Sequence, residues 1–282
     1  MAALSLVLPG GGMKLSYQIG RIAALLDAGL VPSDIVAVSS GIIGALLFKA
    51  SVQEGMTGKE LCRRYAGLLD AMASKGRLPS MSTVRRYSAE QCSAIIGRVS
   101  AQPPRLRALA ARRGDYHPLV LDLVGDRDPD FFEALMSMPG IFDSRASRRL
   151  GLVDGGYHSN HPYESVAGPA IVMAFFPPRP SPFRRYEDFA ALSPSRARPV
   201  THALRLLWAF VNTTFPSRPR DAHRVRWEAP RRSSGLTFFS RHMPTHLRAI
   251  REGLADGGRA IDQSSALGPP SPSASGNRTV GA

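Results

Sequence analysis

The sequence predicts an α/β protein, with helices packed on a mostly parallel central sheet. Three observations lead there. Two short apolar runs, at residues 4–8 and 34–38, are each followed by a stretch with helical spacing of apolar residues. Glycine-containing corners, PGGG at 9–12 and SSG at 39–41, separate run from stretch in both cases. A further apolar run, AIVMAFF at 170–176, reads as another strand buried in the same sheet. Strand–helix–strand–helix order in so few residues is the pattern of parallel strands joined by helical crossovers.

The elements follow in order. LSLVL (4–8) is a buried strand stopped by Pro9 and three glycines. From Met13 to Ala28, Leu15, Ile19, Ile22, Leu25 and Leu26 recur at helical spacing, and Gly29 marks the stop. DIVAV (34–38) is the second strand, and 42–50 is a helix apolar nearly all round, hence buried on several sides. Residues 58–74 and 88–98 have amphipathic spacing. HPLVLDLVG (117–125) is predicted as a third strand, and 130–142 as a short helix broken by Pro139-Gly140. LGLVDGGYHSNHP (150–162) reads as a strand running into a Gly-Gly turn. Helical stretches are expected at 200–213 and 243–254, and the Ser/Pro/Gly-rich end, 263–282, as a disordered tail.

Composition limits the partners. The 282 residues carry a formal charge of +14, and residues 177–260 hold sixteen arginines, no lysine and six acids, so ten of those charges fall there. Such a balance suits a polyanion or an anionic membrane face, or simply a solvated arginine-rich surface. No nucleic-acid-binding module is present and aromatic residues do not interleave with the basic runs, so nucleic acid is not expected as a partner. Cys62 and Cys92 make neither a disulfide framework nor a metal-ligand spacing and are expected as buried thiols. No cofactor and no metal are called for. The opening residues lack a charged leader and no window approaches 18 apolar residues, so a cytoplasmic or peripheral-membrane protein is expected.

The corner at DIVAVSSGIIGALL (34–47) carries the chemistry. A nucleophile on a sharp strand-to-helix turn needs small residues two before and two after it. Ser39 has Ala37 and Gly41 there, whereas Ser40 would have the β-branched Val38 and Ile42. Ser39 is therefore the candidate nucleophile, beside the N-terminus of the following helix, where developing negative charge is favoured. The same residues also suit an ordinary serine cap. In PGGGMK (9–14), Gly10, Gly11 and Gly12 leave backbone N–H groups uncovered, as an oxyanion hole requires, and Lys14 could add positive charge. A dinucleotide turn would need glycine where Leu15 stands. Asp154 leaves a strand into Gly155 and Gly156, placed for a carboxylate that approaches another backbone closely, although Asp-Gly-Gly is also common turn chemistry. His158 and His161 follow too closely on the same turn to serve in a triad with Asp154 and are expected as turn or surface residues.

These stretches together resemble the patatin-like phospholipase family. Gly10-Gly11-Gly12-Met13-Lys14-Leu15 is similar to its Gly-Gly-Gly-x-Lys/Arg-Gly segment, Ala37-Val38-Ser39-Ser40-Gly41 to its Gly-x-Ser-x-Gly elbow, and Asp154-Gly155-Gly156 to its Asp-Gly-Gly/Ala, in that order. MSMPGIF (136–142) and SNHP (159–162) are similar to two further family segments, so the likeness runs from residue 4 to about 176. Ala37 and Leu15 depart from glycines of the family pattern. The resemblance implies a three-layer α/β/α fold and a catalytic domain over 1–178, followed by a basic helical extension over 179–262. It implies a serine carboxylic-ester hydrolase of phospholipase A type that cleaves fatty-acyl esters of lipids. Ser39 would be nucleophile and Asp154 its base, with no histidine. Gly10, Gly11 and Gly12 would hold the oxyanion, and Lys14, Gly41, Gly155 and Gly156 would support the site. A non-catalytic relative that binds lipid or a membrane is the alternative. In the extension, Leu204, Leu207, Trp208 and Val211 share a helical face, which could rest on an anionic membrane or dock on the catalytic core.

Overall fold

The computed structural model describes residues 4–166, 168–176, 190–191, 198–214, 225–230, 235–237 and 239–266. Strands β1 (Ser5–Leu8) and β2 (Asp34–Val38) alternate with helices α1 (Leu15–Asp27) and α2 (Gly41–Gln53). Then come α3 (Gly58–Met72), α4 (Met81–Ile96), β3 (Arg105–Arg112), β4 (Pro118–Asp122), α5 (Pro129–Leu135), α6 (Arg145–Leu150) and β5 (Leu152–Asp154). β6 (Ala170–Met173), α7 (Arg198–Thr214), β7 (Val225–Glu228) and α8 (Met243–Ala266) follow.

The strands make one sheet in the order β4-β3-β2-β1-β6-β7. The pairs β1–β2, β1–β6, β2–β3 and β6–β7 are parallel, while β4 and β5 each pair with β3 antiparallel. The fold is thus α/β with a mostly parallel sheet. Side chains alternate across it with the period of two that a pleated strand imposes. Leu6, Leu8, Ile35, Ala37, Leu106 and Ala108 point into the main core under α1 to α5. Val7, Val36 and Val172 point to the opposite face. On that second face Ala111 and Val153 pack against Leu206 and Ala209 of α7, which gives the third layer.

β5 occupies an unusual slot. β2 pairs with β3 only as far as Val38↔Leu109. β4 takes the other edge of β3, including Ala110 and Ala111. β5 therefore continues along the edge that β2 has left, with Asp154 opposite Ala110 and Val153 opposite Ala111. Consecutive rungs of β3 thus hold the end of β2 and the end of β5, about 3.3 Å apart along the strand.

Residues on both sides of position 178 share this sheet, because β7 is hydrogen-bonded to β6. α8 lies against α1 at backbone distance. A Cβ on Gly20 would stand 2.1 Å from the Ile250 carbonyl oxygen, and one on Gly253 2.1 Å from that of Tyr17. Arg21 of α1 forms a buried ion pair with Glu228 of β7, and Tyr17 donates to Asp256 of α8 at 2.7 Å. Of the tail expected to be disordered, residues 263–266 belong to α8 and the rest lies outside the described residues.

Two segments differ from the sequence expectation. β3, RLRALAAR, is not expected as a strand, because arginine, leucine and alanine favour helices. Its alternation shows only in the packing, where Leu106, Ala108 and Ala110 are buried against the main core. The strand expected at 117–125 is present but shorter, an antiparallel edge strand with Val120 exposed. Cys62 and Cys92 are buried free thiols. No helix among the described residues is long and apolar enough to cross a membrane.

Candidate active site

Ser39 sits between β2 and α2 with φ +52°, a left-handed backbone that non-glycine residues adopt only where the surroundings enforce it. The enforcement is visible around it. Ile42 N–H bonds the Ser39 carbonyl at 3.0 Å, which closes the turn into α2. Gly41 fits directly against β1, where any Cβ would meet the Leu8 carbonyl oxygen at 2.3 Å. Ala37, the departure from the family's glycine, is fully buried and its methyl group is absorbed into the main core.

Asp154 ends β5 and is 2% exposed. Its Oδ1 accepts the Gly156 N–H at 2.8 Å, an Asx turn that starts the short 3-10 segment Gly155–Tyr157. Gly155 passes against β3, where a Cβ would stand 2.2 Å from the Leu109 carbonyl oxygen. The ladder register puts Asp154 one rung beyond Val38, and so beside Ser39. Oδ2 is buried and has no partner in hydrogen-bonding geometry among the described residues. Burial raises the carboxyl to about 6, against the downward pull of the Ser39 hydroxyl and the Gly156 N–H. The serine is thus close enough to favour the charged carboxylate, yet no aligned hydrogen bond joins the two. A carboxyl at about 6 is a better base near neutrality than a solvated aspartate at about 3.9.

The glycine loop after β1 divides its amides. Gly10 N–H donates to Asn160 Oδ1 at 2.9 Å, and Asn160 Nδ2 donates back to the Gly10 carbonyl at 2.7 Å. This two-bond clasp ties the loop to the segment after Asp154 and takes the Gly10 amide out of the expected set of open donors. Gly11 N–H donates to Ser40 Oγ at 3.1 Å. Gly12, at φ +54°, begins a 3-10 turn, so its N–H has no partner within that turn. Gly10 also lies close against the serine, since a Cβ there would stand 2.6 Å from Ser39 Cβ. Gln18 fixes the base of the loop, donating to the carbonyls of Pro9 and Met173 at 3.3 and 3.4 Å. Lys14 packs against aromatic rings. Its ammonium lies 4.0 Å from the centre of the Phe176 ring, and burial lowers its pKa.

Ser39, Ser40 and Gly12 line a half-open cleft. Its walls are mainly apolar, with Leu15, Ile43, Leu69, Met72, Met81 and Met136 among them. Leu15, the second departure from the family pattern, is therefore part of the cleft wall. Asp154 is not among the residues that line this cleft. Of the two histidines, His158 is half-buried, whereas His161 is buried against Trp227 with ring centres 5.4 Å apart, not on the surface. In α7, Trp208 is 3% exposed and Leu204 and Val211 pack beside it, so that face is docked on the protein and only Leu207, 53% exposed, points to solvent.

Asn160, Gln18 and Ser40 were not singled out as site residues by the sequence pattern. Asn160 alone left a signal, through SNHP. No cluster of His, Cys, Asp or Glu among the described residues could hold a metal ion.

No protein-family model matches the chain, and no curated protein matches it by sequence. Among solved structures it is similar in shape to VipD from Legionella pneumophila, with a TM-score of 0.46 and 12% identity, over 93% of this chain and 67% of that one. It is also similar to the type III effector protein ExoU, with a TM-score of 0.37 and 15% identity over 92% of this chain and 52% of ExoU. A third likeness is to the heterodimeric ExoU–SpcU complex of the Pseudomonas aeruginosa type III secretion system, with a TM-score of 0.33 and 15% identity over 94% and 60%. The chain spans between about half and two thirds of the length of these proteins.

Proposed function

We propose that the protein is a patatin-like acyl hydrolase that cleaves fatty-acyl esters of lipids with a Ser39–Asp154 dyad. One observation carries the reading: on neighbouring rungs of β3, the ends of β2 and β5 bring a strained, cleft-facing serine next to a buried carboxylate with one vacant oxygen.

In this mechanism Ser39 Oγ attacks the ester carbonyl carbon as its proton passes to Asp154 Oδ2. The carbonyl oxygen becomes an oxyanion held by the N–H groups of Gly11 and Gly12, beside the start of α2. Collapse breaks the bond to the alcohol oxygen, which leaves with the proton from Asp154, and the acyl group stays on Ser39. Water then gives a proton to Asp154 as it attacks the acyl carbon; the bond to Ser39 Oγ breaks, Oγ takes that proton back from Asp154, and the carboxylic acid departs. The apolar cleft takes the acyl chain, and no cofactor or metal enters any step.

A second reading, a lipid-binding protein without turnover, is favoured by one contact. Ser40 Oγ occupies the Gly11 amide, so that donor reaches an oxyanion only after Ser40 turns away. Chromogenic acyl esters of graded chain length separate the two. Turnover that disappears in both Ser39→Ala and Asp154→Asn, with the circular dichroism spectrum retained, supports the hydrolase. Ester binding without turnover, and no labelling of Ser39 by a fluorophosphonate, supports the other reading. Peripheral contact with an anionic membrane remains part of the proposal for the basic region and is read from vesicle cosedimentation.

A further inference from the structure

We propose that helix α7, in the arginine-rich part of the chain, positions Asp154 through Trp208 and Arg205. This inference rests on the hydrolase reading for its kinetic part only.

The argument begins with what the aspartate turn lacks. β5 has three residues, and the chain after Asp154 leaves the sheet at once in a single 3-10 turn. Such a turn uses few of its own carbonyls, and an Asx bond to Gly156 is all that holds the carboxylate from within. The next two carbonyls are held from outside by α7. Trp208 Nε1–H donates to the His158 carbonyl at 3.0 Å, and the Arg205 guanidinium donates to the Tyr157 carbonyl at 3.3 Å. Both donors are on side chains at most 9% exposed, and losing either bond removes a partner from a carbonyl of the turn.

Tyr157, fully buried, is held on every side. Its hydroxyl donates to the Pro139 carbonyl at 2.5 Å, and its ring lies 4.9 Å from that of Tyr116 and 6.2 Å from that of His202 on α7. His202 in turn bonds the Tyr116 hydroxyl, and the Arg205 guanidinium lies 5.5 Å from the Tyr116 ring centre. α7 also rests on the loop before α6, where a Cβ on Gly140 would meet His202 Nε2 at 3.1 Å. That loop's Ser137 carbonyl accepts the Asp154 N–H at 2.9 Å. α7 therefore grips the aspartate turn both from above and through its neighbour.

Among the described residues, the ionisable groups around the turn are Tyr157 and His158 on it, His161 just after it, Tyr116 after β3, Arg113 with Asp143, and His202 and Arg205 from α7. The influences on the Asp154 carboxyl are burial, Ser39 and Gly156. Loosening the turn therefore acts on that carboxyl by admitting water, and returns it towards an ordinary aspartate.

Trp208→Phe keeps the ring packing and removes one N–H, and Arg205→Met keeps the aliphatic stem. Each is combined with Asp154→Asn, and melting temperatures are compared at pH 4 and pH 8 in the full chain. In the parent, Asp154→Asn raises the melting temperature more at pH 8 than at pH 4. In either α7 variant that pH-dependent difference is expected to fall by at least half. Kinetically, kcat for a soluble short-chain ester, per Ser39 titrated with a fluorophosphonate, falls at least tenfold while KM stays within twofold, and Arg205→Lys restores part of the loss. The same pH-dependent difference in parent and variants overturns the proposal, because α7 would then merely cover the turn. A parent that hydrolyses no ester overturns the hydrolase reading instead, and leaves the melting comparison to decide the role of α7.

Discussion

Asp154→Asn separates the catalytic role proposed for the carboxylate from its effect on the fold. The folded pKa of about 6 stands roughly 2 units above that of an unfolded aspartate, about 3.9. A raised folded pKa means that the fold resists ionisation. The associated stability is whole below pH ~3.9 and is lost as pH rises through about 6. At ~1.4 kcal/mol per unit the buried charge destabilises the native state by about 3 kcal/mol at pH 8, by about half that at pH 5, and by almost nothing at pH 3. Asparagine keeps the acceptor for Gly156 and directs an N–H towards Ser39, so it removes the charge with little change of shape. For a chain of this size the gain at pH 8 corresponds to a melting temperature about 6 °C higher. Scanning calorimetry of parent and variant from pH 4 to pH 8 measures it, and comparison at each pH cancels the surface carboxylates, such as Asp115 and Asp143, which Arg112 and Arg113 hold low. An equal gain at pH 4 and pH 8 would refute the reasoning, since packing rather than charge would then be responsible. The variant should lose nearly all turnover, and the parent's kcat/KM should decline below about pH 6.

Ser39→Gly relieves the positive φ and should stabilise the fold by about 1 kcal/mol in urea unfolding while eliminating turnover; Ser39→Ala should eliminate turnover without that gain. Leu69→Trp narrows the cleft and should reduce kcat/KM for long acyl esters at least tenfold relative to short ones, as read from a chain-length series. Gly253→Val drives a side chain into the Tyr17 carbonyl and should lower stability by more than about 3 kcal/mol or prevent folding, as followed by circular dichroism.

Much of the candidate site is legible in the sequence because its parts are local. A strand, a corner with small flanking residues and an apolar helix lie within 34–50, and the choice of Ser39 over Ser40 needs only the size of Ala37 and Gly41. The glycine loop and Asp154-Gly155-Gly156 are equally local. What the pattern did not carry were roles defined by distant partners. Asn160 finds Gly10 across 150 residues. β3 is a strand because β2 and β4 flank it, which outweighs the helical preference of arginine, leucine and alanine. The grip of α7 depends on donors 48 and 50 residues beyond the carbonyls they hold.

The same distinction explains why the site stands where it does. A serine elbow after a parallel strand arises from local sequence alone, and the carboxyl ends of such strands are where α/β sheets open to ligands. A buried aspartate beside it does not arise that way. β2 must stop one rung short of Ala110, and β4 must hold the far edge of β3, or β5 would have no ladder to join. The Gly-Gly after Asp154 must let the chain turn away against the Leu109 carbonyl. The carboxyl then sits almost wholly buried beside the serine, and the surrounding structure has to hold its charged form there against the cost of burial. Asn160 on one side and α7 on the other supply that restraint. A region that composition marks only as basic is thereby joined to the chemistry proposed for Ser39.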